Sequence, residues 1–252
     1  MLRIAICTVC RSREPFVLRL VHHPQRPWPI PHHLVSDQEY SWSLTKLASL
    51  GEDMAATKRR HTVGDVVHAA LDLLDEGGRE AVALRAVAAR MGVHLNTVSF
   101  QVKTKARLFE LMADAILEEL SLEDLPEDPR QRVKEITRRQ RTVLLARRDG
   151  ARVVLGTNVF ERNTMNASEA TVSALLDAGF GDRAAARISS CLHYFLLGLV
   201  QEEQDTGSVW SPPLGGDEVD YPALARTRVA FSSDTFADRL EFAMEAFLAV
   251  AN

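Results

Sequence analysis

From position 62 onward, the apolar residues of this chain recur every three or four positions, and this period constrains the fold more than any other feature. The first such segment, 62–77, places its valines, alanines and leucines on one face of a helix. Thr62 is a suitable N-cap with Asp65 three residues later, and Gly77-Gly78 ends the helix. The alternation typical of strands is absent. The sequence therefore predicts an all-α fold.

Seven more helices are predicted by the same period and by the glycines and prolines that interrupt it. Their bounds are 84–91, 94–101, 104–120, 129–148, 164–178, 182–204 and 234–251. The proline- and glycine-rich stretch 212–216 is predicted to be a loop. Gly92 separates two short helices by only a tight turn, which is typical of a helix-turn-helix.

The N-terminal stretch 1–53 differs from the rest because it holds five of the ten prolines and no lasting period. We predict a poorly ordered extension there. Met54 is followed by a basic arm and a helix, so a natural start at Met54 stays open as an alternative.

Charge is unevenly distributed along the chain. Residues 58–107 hold nine Lys and Arg against five Asp and Glu, a net charge of +4, whereas the whole chain has a net charge of −4. A basic segment on an otherwise acidic chain indicates a module that contacts phosphate groups.

The cysteines and the apolar runs indicate the compartment. There are three cysteines, an odd number, so no disulfide framework is predicted and a reducing cytoplasm fits. The longest apolar run, 191–200, is half the length that spans a bilayer. We see no signal peptide in the N-terminal sequence.

The helix after Gly92 begins with short polar side chains, and base edges in the major groove are reached from that end. These side chains are His94, Asn96, Thr97, Ser99 and Gln101. Asn and Gln can pair with adenine through two hydrogen bonds, and a Thr methyl group can contact that of thymine. Arg85, Lys103 and Lys105 flank this surface and would contact phosphates, and a basic arm at 58–60 precedes the first helix. A three-helix bundle with a solvated polar face is the alternative.

Several motifs make the chain similar to the TetR family of transcriptional repressors. The motifs are "RMGV" (90–93), "VKTK" (102–105) with Leu108-Phe109, "ARRDGARVVLGT" (146–157) and "HYFLLGLVQEEQ" (193–204). The last two resemble the ligand domain of the tetracycline-repressor subfamily. The resemblance covers most of 58–250 and none of 1–53.

The resemblance implies a three-helix DNA-binding domain at 54–107 and a larger helical domain at 108–252 that binds a ligand and forms a homodimer. Helices 182–204 and 234–251 are the expected dimer helices because both have wide apolar faces. A dimer would bind a palindromic double-stranded operator, and a small-molecule effector would favour a conformation with wrongly spaced DNA-binding heads. We expect a ligand-responsive repressor in the cytoplasm, with no cofactor and no enzymatic activity.

The alternative is a helical small-molecule binding module or hydrolase that does not bind DNA. A hydrolase needs a reactive nucleophile with a base in reach, and the sequence identifies none.

The resemblance also assigns DNA-contacting positions. Those that contact operator DNA in the family correspond here to Arg85, Asn96, Thr97, Gln101 and Lys105. Ser99 stands where the family usually has a tyrosine that packs on the phosphate backbone, and Leu95 replaces a polar base-reading residue. Phe100 keeps the aromatic character of the next position. DNA binding is still expected, with an operator sequence that these departures make unpredictable.

The ligand domain departs further from the tetracycline repressor. Val154 takes the place of a histidine that binds the magnesium accompanying the drug, and it has no lone pair. Ile136 and Gln140 replace a polar pair, while Glu202 survives at an acidic position. One carboxylate without its imidazole is a poor magnesium site, so we expect no metal and an effector other than tetracycline-magnesium.

An apolar ligand pocket is expected in this domain. Its predicted lining is Ile136, Gln140, Val154, Thr157, Phe160, His193, Leu197 and Glu202. An apolar cavity with a few polar anchors suits a largely apolar effector. Core packing is the alternative role of Ile136, Val154, Leu197 and His193.

Two further motifs are weak. Cys7 and Cys10, followed by the pairs His22-His23 and His32-His33, have ligand types suited to zinc, but the histidines are adjacent instead of three to five residues apart. A Gly-Gly-Asp-Glu sequence at 215–218 lies in the proline-rich loop and is interpreted as a turn.

Overall fold

The computed structural model describes residues 61–157, 160–207, 209 and 221–249. Within these ranges it contains ten α-helices, one short 3₁₀ helix and no strand, so the predicted all-α fold is confirmed. The predicted extension at 1–53, the cysteine pair in it, the start at Met54, the loop at 212–216 and the Gly-Gly-Asp-Glu sequence at 215–218 lie outside the described residues. No helix in the described part of the chain has the length and hydrophobicity required to cross a membrane.

The helices are numbered in chain order. They are α1 (Val63–Gly77), α2 (Leu84–Arg90), α3 (Leu95–Val102), α4 (Lys105–Glu118), α5 (Pro129–Leu145), α6 (Gly150–Val154), α7 (Arg162–Asp177), α8 (Asp182–Thr206), α9 (Pro222–Ser233) and α10 (Phe236–Leu248). The 3₁₀ helix Arg79–Ala81 lies between α1 and α2.

Helices α1, α2 and α3 pack together into a small bundle, which we call the reading head. The first turn of α1 is fixed by the predicted capping box, in which the Thr62 hydroxyl accepts a hydrogen bond from the Asp65 N–H (3.2 Å) and the Asp65 carboxylate accepts one from the Thr62 N–H (2.7 Å). One face of α1 is buried, as its period predicts. The buried side chains of the bundle are Val66, Val67, Ala69, Ala70, Leu71, Leu74, Val87, Ala88, Val98 and Val102.

Helix α4 leads from the reading head into a larger body formed by α5 to α10. It packs against α6 and α7, while α8 packs against α7 and α10. Leu108, Met112 and Ile116 of α4 are fully buried, and they belong to one apolar core that extends from the reading head to α10. Burying each such side chain stabilises the fold by about 1.5–3 kcal/mol, so α4 is firmly joined to both parts.

The structure contains two helices that the sequence did not predict. The predicted helix 129–148 ends at Leu145, and the short α6 follows after Asp149, which has a left-handed φ of 54°. Gly150 allows the chain to turn there, because a Cβ atom at this position would lie 2.2 Å from the carbonyl oxygen of Leu144. Helix α9 has no buried residue, and its sequence lacks the apolar period from which a helix is predicted.

Candidate nucleic-acid interface and ligand cavity

The turn between α2 and α3 has the geometry predicted from Gly92. This glycine has a φ of 66°, a conformation that residues with a Cβ rarely adopt. The N–H of Gly92 donates to the Ala89 carbonyl (3.1 Å) and the N–H of Val93 to the Ala88 carbonyl (3.0 Å). These bonds close the end of α2 and orient α3 as the second helix of a helix-turn-helix.

The outer surface of α3 combines polar and aromatic side chains. Asn96 is exposed, Thr97 and Ser99 are half-buried, and the Phe100 side chain is 81% exposed. The flanking cations are all exposed, as a phosphate-contacting surface requires; they are Arg85, Lys103 and Lys105. His94 is also exposed, and Leu95 packs partly against the core.

Gln101 has a contact that the sequence did not indicate. Its Nε2 donates a hydrogen bond of 2.6 Å to the backbone carbonyl of His61, just before α1. The amide is half-buried and joins the end of α3 to the start of α1. This bond uses one of the two amide N–H donors and fixes the direction of the side chain.

Lys103 occupies a strained turn between α3 and α4. Its φ and ψ are 60° and −52°, and the Thr104 N–H donates to the Val102 carbonyl at 2.6 Å. This is a γ-turn with positive φ, a rare conformation for a residue with a Cβ. The Thr104 hydroxyl then caps α4 by accepting a hydrogen bond from the Arg107 N–H (3.0 Å). The turn places Lys103 and Lys105 beside the exposed surface of α3.

A cavity of about 310 Å³ lies in the body between α4, α5, α6, α7 and α8. Its lining consists of Ala113, Thr137, Gln140, Val154, Thr157, Phe160, Thr164, Ser168, Thr171, Ser189, Ser190, Leu192, His193 and Tyr194. The inner wall is buried and includes Ala113, Thr137 and Thr171. Phe160 and Tyr194, which are 83% and 69% exposed, belong to the rim. The cavity is at the lower end of the size range for drug-sized ligands.

Five of the eight predicted pocket residues line this cavity, and three do not. Gln140, Val154, Thr157, Phe160 and His193 line it. Ile136 and Leu197 are instead buried in the core, and Glu202 is exposed on α8. Ile136 and Leu197 therefore have the alternative role given above, which is packing in the core. Glu202 lies about two and a half turns beyond His193, too far along the helix to reach the same space.

The lining is more polar than expected. Ten of its fourteen side chains are polar, and none is Asp, Glu, Lys or Arg. The expectation of an apolar lining with a few polar anchors is therefore wrong. A sequence signal did exist in α7, where Thr164, Ser168 and Thr171 follow each other at helical spacing on one face. Single Ser and Thr residues on a helix usually indicate a solvated surface, which is why this signal was missed.

His193 lies at the rim beside Tyr194, with the two ring centroids 5.7 Å apart in an edge-to-face arrangement. Although the side chain is partly exposed, loss of water around the covered part of the ring lowers the pKa of His193 below its ordinary value of 6.5. Val154 offers no lone pair, and no group of His, Cys, Asp and Glu within the described ranges could hold a metal ion. The donor set does not suit magnesium.

The comparisons with known proteins agree with the geometry. Residues 123–249 match the family model "Tetracyclin repressor-like, C-terminal domain". The chain is 31% identical over 182 residues to the class E tetracycline repressor protein of Escherichia coli, covering 68% of this chain and 86% of the relative. The chain belongs to the TetR family. This confirms the expectation of a ligand-responsive transcriptional regulator, and the named relatives are regulators, not enzymes.

Solved structures of TetR-family proteins share the fold. A possible TetR-family regulator from Streptomyces coelicolor A3(2) has a TM-score of 0.62 at 31% identity, covering 74% of this chain and 96% of its own. The TetR-family protein ActR from Streptomyces coelicolor, solved in complex with (S)-DNPA, has a TM-score of 0.67 at 25% identity, covering 75% and 96%.

In this TetR-family regulator, α4 is joined to the cavity rim by polar contacts. The Asp114 carboxylate accepts hydrogen bonds from the Thr164 N–H (2.8 Å), the Thr164 hydroxyl (3.0 Å) and the Asn163 side chain (3.0 Å). Nearby, Arg107 forms an ion pair of 2.5 Å with Glu161. These two groups of contacts connect α4 to the start of α7, where Thr164 lines the cavity.

A second set of contacts connects the reading head directly to the turn between α5 and α6. Arg147 forms ion pairs of 2.7 Å with Asp75 at the end of α1 and with Glu119. The Asp149 carboxylate accepts a 2.7 Å hydrogen bond from the backbone N–H of Arg79. The regulator therefore has polar connections between the head and body in addition to α4.

An apolar groove of about 670 Å³ runs along the outer surface of α8, α9 and α10. Its lining includes Phe195, Phe231, Phe242 and Phe247. Phe242 is 76% exposed within the single chain. Such a contiguous apolar surface indicates contact with another molecule.

Proposed function

We propose that this regulator represses transcription as a homodimer on a palindromic operator and that a small molecule in the cavity lowers its affinity for that operator. The proposal depends on the position of α4, which extends from the reading head to the cavity. This helix begins at the reading head, and its Ala113 lines the cavity. A ligand that favours a different position of α4 therefore also favours a different position of the head. Only such a difference in ligand affinity between two conformations can switch DNA binding.

The DNA contacts are assigned to the 54–107 domain. Asn96, Thr97 and Ser99 lie at the start of α3, from which base edges in the major groove are reached. The exposed cations Arg85, Lys103 and Lys105 are assigned to phosphates, and the exposed ring of Phe100 to an apolar contact with the DNA. Gln101 is assigned to orienting α3 through His61, because one of its two amide N–H groups donates to that carbonyl and fixes the side chain.

The dimer contacts are assigned to the 108–252 domain. A second copy of the chain can cover the groove on both subunits at once, since a two-fold interface uses the same surface twice. Helix α9, whose residues are all at least partly exposed in the single chain, has surface available for the same contact. Two heads about 34–36 Å apart would then meet successive major grooves on one face of the operator.

The rival function is a helical binding module or hydrolase that does not bind DNA. A hydrolase would need a nucleophile activated by a base. In the described part of the chain, the ring of His193 contacts Tyr194, and no hydrogen bond joins it to a serine or a carboxylate. The Ser190 hydroxyl donates to the Ala186 carbonyl (2.9 Å) instead of to a base. These contacts favour the regulator, whose expected location is the cytoplasm because it acts on the chromosome.

Selection of bound sequences from a randomised duplex pool by the full chain tests the proposal. We expect enrichment of a palindrome whose half-sites lie one helical turn or a multiple apart, and a complex that contains two chains by light scattering. Asn96→Ala should relax the sequence preference, while Asn166→Ala, an exposed asparagine on α7, should preserve it. A folded chain that enriches no sequence would support the rival function.

A further inference from the structure

Thr137 and Thr171 are the two polar side chains that are buried among the described residues, with 2% and 7% exposure, and both line the cavity. Buried polar groups are rarely left without hydrogen bonds. Thr137 donates its hydroxyl proton to the Val133 carbonyl (2.8 Å), and Thr171 donates to the Ala167 carbonyl (2.9 Å). A carbonyl oxygen has no proton to give, so the threonine must be the donor in each pair.

The same arrangement recurs at other hydroxyl groups of the lining. Ser168 and Ser190 donate to carbonyls four residues earlier, at 3.0 and 2.9 Å. Thr157 donates to the Val154 carbonyl at 2.7 Å, and Thr164 donates to the Asp114 carboxylate at 3.0 Å. Six lining hydroxyl groups have therefore committed their only protons to the protein. Their oxygen atoms keep lone pairs, and a hydroxyl that donates becomes a better acceptor.

The remaining polar groups of the lining do not outweigh this excess of hydrogen-bond acceptors. Gln140, Ser189, His193 and Tyr194 can donate, but Tyr194 and His193 are exposed at the rim. No lining side chain is a carboxylate, an amine or a guanidinium. A charged ligand group would lose its hydration without gaining an opposite charge, which is strongly unfavourable.

We propose that the cavity selects uncharged ligands that carry several hydrogen-bond donors, such as polyphenols, and discriminates against ligands that carry acceptors only. The discrimination follows from the committed protons, because an acceptor-only ligand would face oxygen lone pairs on the inner wall. A site whose polar groups are left unpaired rejects a ligand much more strongly than one that loses an apolar contact. This inference rests on the proposed function only in naming the cavity as the effector site.

Calorimetric titration of the full chain with matched compounds tests the inference. The probes are uncharged trihydroxystilbenes and tetrahydroxyflavones, each paired with its fully O-methylated ether. We expect the hydroxylated member to bind at least about 10-fold more tightly in each pair that binds. Equal or tighter binding of the ethers, or failure of every hydroxylated compound to bind, would overturn the inference.

Variants identify the oxygen atoms that discriminate. Thr171→Val keeps the shape of the side chain but removes the acceptor, so it should reduce the preference for hydroxylated compounds by about 10-fold. Thr171→Ser keeps the oxygen atom and should restore most of the preference. Thr142→Val is the matched control, because Thr142 on α5 also donates to the carbonyl four residues earlier (3.1 Å) but lies outside the lining. A preference that Thr171→Val and Thr137→Val both leave unchanged would contradict the inference.

The outcome separates this inference from the proposed function. Circular dichroism and thermal unfolding establish that each variant is folded before its affinity is measured. If the chain selects a palindrome but prefers the ethers, the inference fails and the regulator stands. If it prefers the hydroxylated compounds but selects no DNA sequence, the inference stands and the regulator fails.

Discussion

The carboxylate of Asp114 on α4 accepts hydrogen bonds from both the backbone N–H and the hydroxyl of Thr164, at 2.8 and 3.0 Å. Thr164 lies in the first turn of α7 and lines the cavity, whereas α4 begins at the reading head. One residue of the cavity is thus bonded to the helix that leads from the reading head into the body. We expect this pair to transmit part of the effect of a ligand.

Asp114→Ala should weaken the coupling between ligand and operator. It leaves the Thr164 N–H without this acceptor, so the free energy of unfolding should fall by about 1–3 kcal/mol. The ratio of operator dissociation constants with and without the tightest-binding stilbene should move towards one. Glu118→Ala removes an exposed carboxylate from the same helix and is the control. An unchanged ratio in Asp114→Ala would show that the coupling runs through other contacts.

Lys103→Gly should stabilise the protein and weaken its binding to DNA. Glycine adopts the φ of 60° without the strain that lysine has there, so we expect a gain of about 1 kcal/mol in the free energy of unfolding. Loss of one phosphate contact should reduce the slope of log K against log salt concentration by about 1. Lys105→Ala should reduce that slope similarly without the gain in stability. A melting temperature of Lys103→Gly below that of the natural chain would contradict the presence of backbone strain at this position.

Gln101 and Asn96 should have different roles although both lie on α3. Gln101→Ala removes the 2.6 Å bond to the His61 carbonyl and should lower the free energy of unfolding by about 1 kcal/mol. Asn96→Ala changes an exposed side chain and should affect base preference with little change in stability. Thermal unfolding and binding to single-base variants of the selected operator measure the two effects. Equal stability of Gln101→Ala and the natural chain would argue for a free, base-reading amide.

Gly150→Ala should destabilise the turn between α5 and α6. The added Cβ would lie 2.2 Å from the backbone carbonyl oxygen of Leu144, so the backbone must move. We expect a loss of about 1–3 kcal/mol in the free energy of unfolding by urea. The control is Gly64→Ala in α1, where the nearest neighbour is the Thr62 hydroxyl at 3.6 Å and a gain of about 0.5–1 kcal/mol is expected. A Gly150→Ala protein as stable as the natural one would show that this turn is not tightly constrained.

His193 should make the stability fall in mild acid. Desolvation lowers its pKa in the folded chain, so the unfolded chain takes up the proton first as the pH falls below about 6.5. The contribution of the neutral ring to stability is therefore complete above that pH and is lost as the pH falls through the lowered folded pKa. The melting temperature of His193→Asn should fall less between pH 8 and pH 5 than that of the natural chain. If the melting temperatures of both proteins fall equally over this pH range, His193 does not contribute to the loss of stability in acid.

Local patterns in the sequence were sufficient to predict most of the helices and the turn at Gly92. The capping box at Thr62 is confirmed because it depends on residues three positions apart. Helix α9 was missed because it has no buried face, and α6 was missed because five residues are too few to show a period. Helix prediction thus worked for helices of two or more turns with a buried apolar face. It failed for α9, which has no buried face, and for α6, which is buried but too short.

The candidate functional residues also form two groups, those that sequence order brings together and those that helix packing brings together. The predicted base-reading side chains lie on one short helix, so sequence order alone placed Asn96, Thr97 and Ser99 together, and their roles in DNA binding stay a prediction. The cavity draws on five helices, and the rotation of each helix about its own axis decides which side chain enters the cavity. Ile136 is in the core while its neighbour Thr137 lines the cavity, a difference of only about 100° around α5.

The amino-acid sequence by itself determined the helical class, the turn that defines the helix-turn-helix and the basic character of the DNA-binding surface, because each depends on neighbours within a few positions. Tertiary structure alone decided that the cavity is rich in hydroxyl groups, that Asp114 bonds to Thr164 and that Gln101 bonds to His61. Those features require helices that are distant in sequence to meet at a particular rotation and distance, and the packing of the whole core sets both.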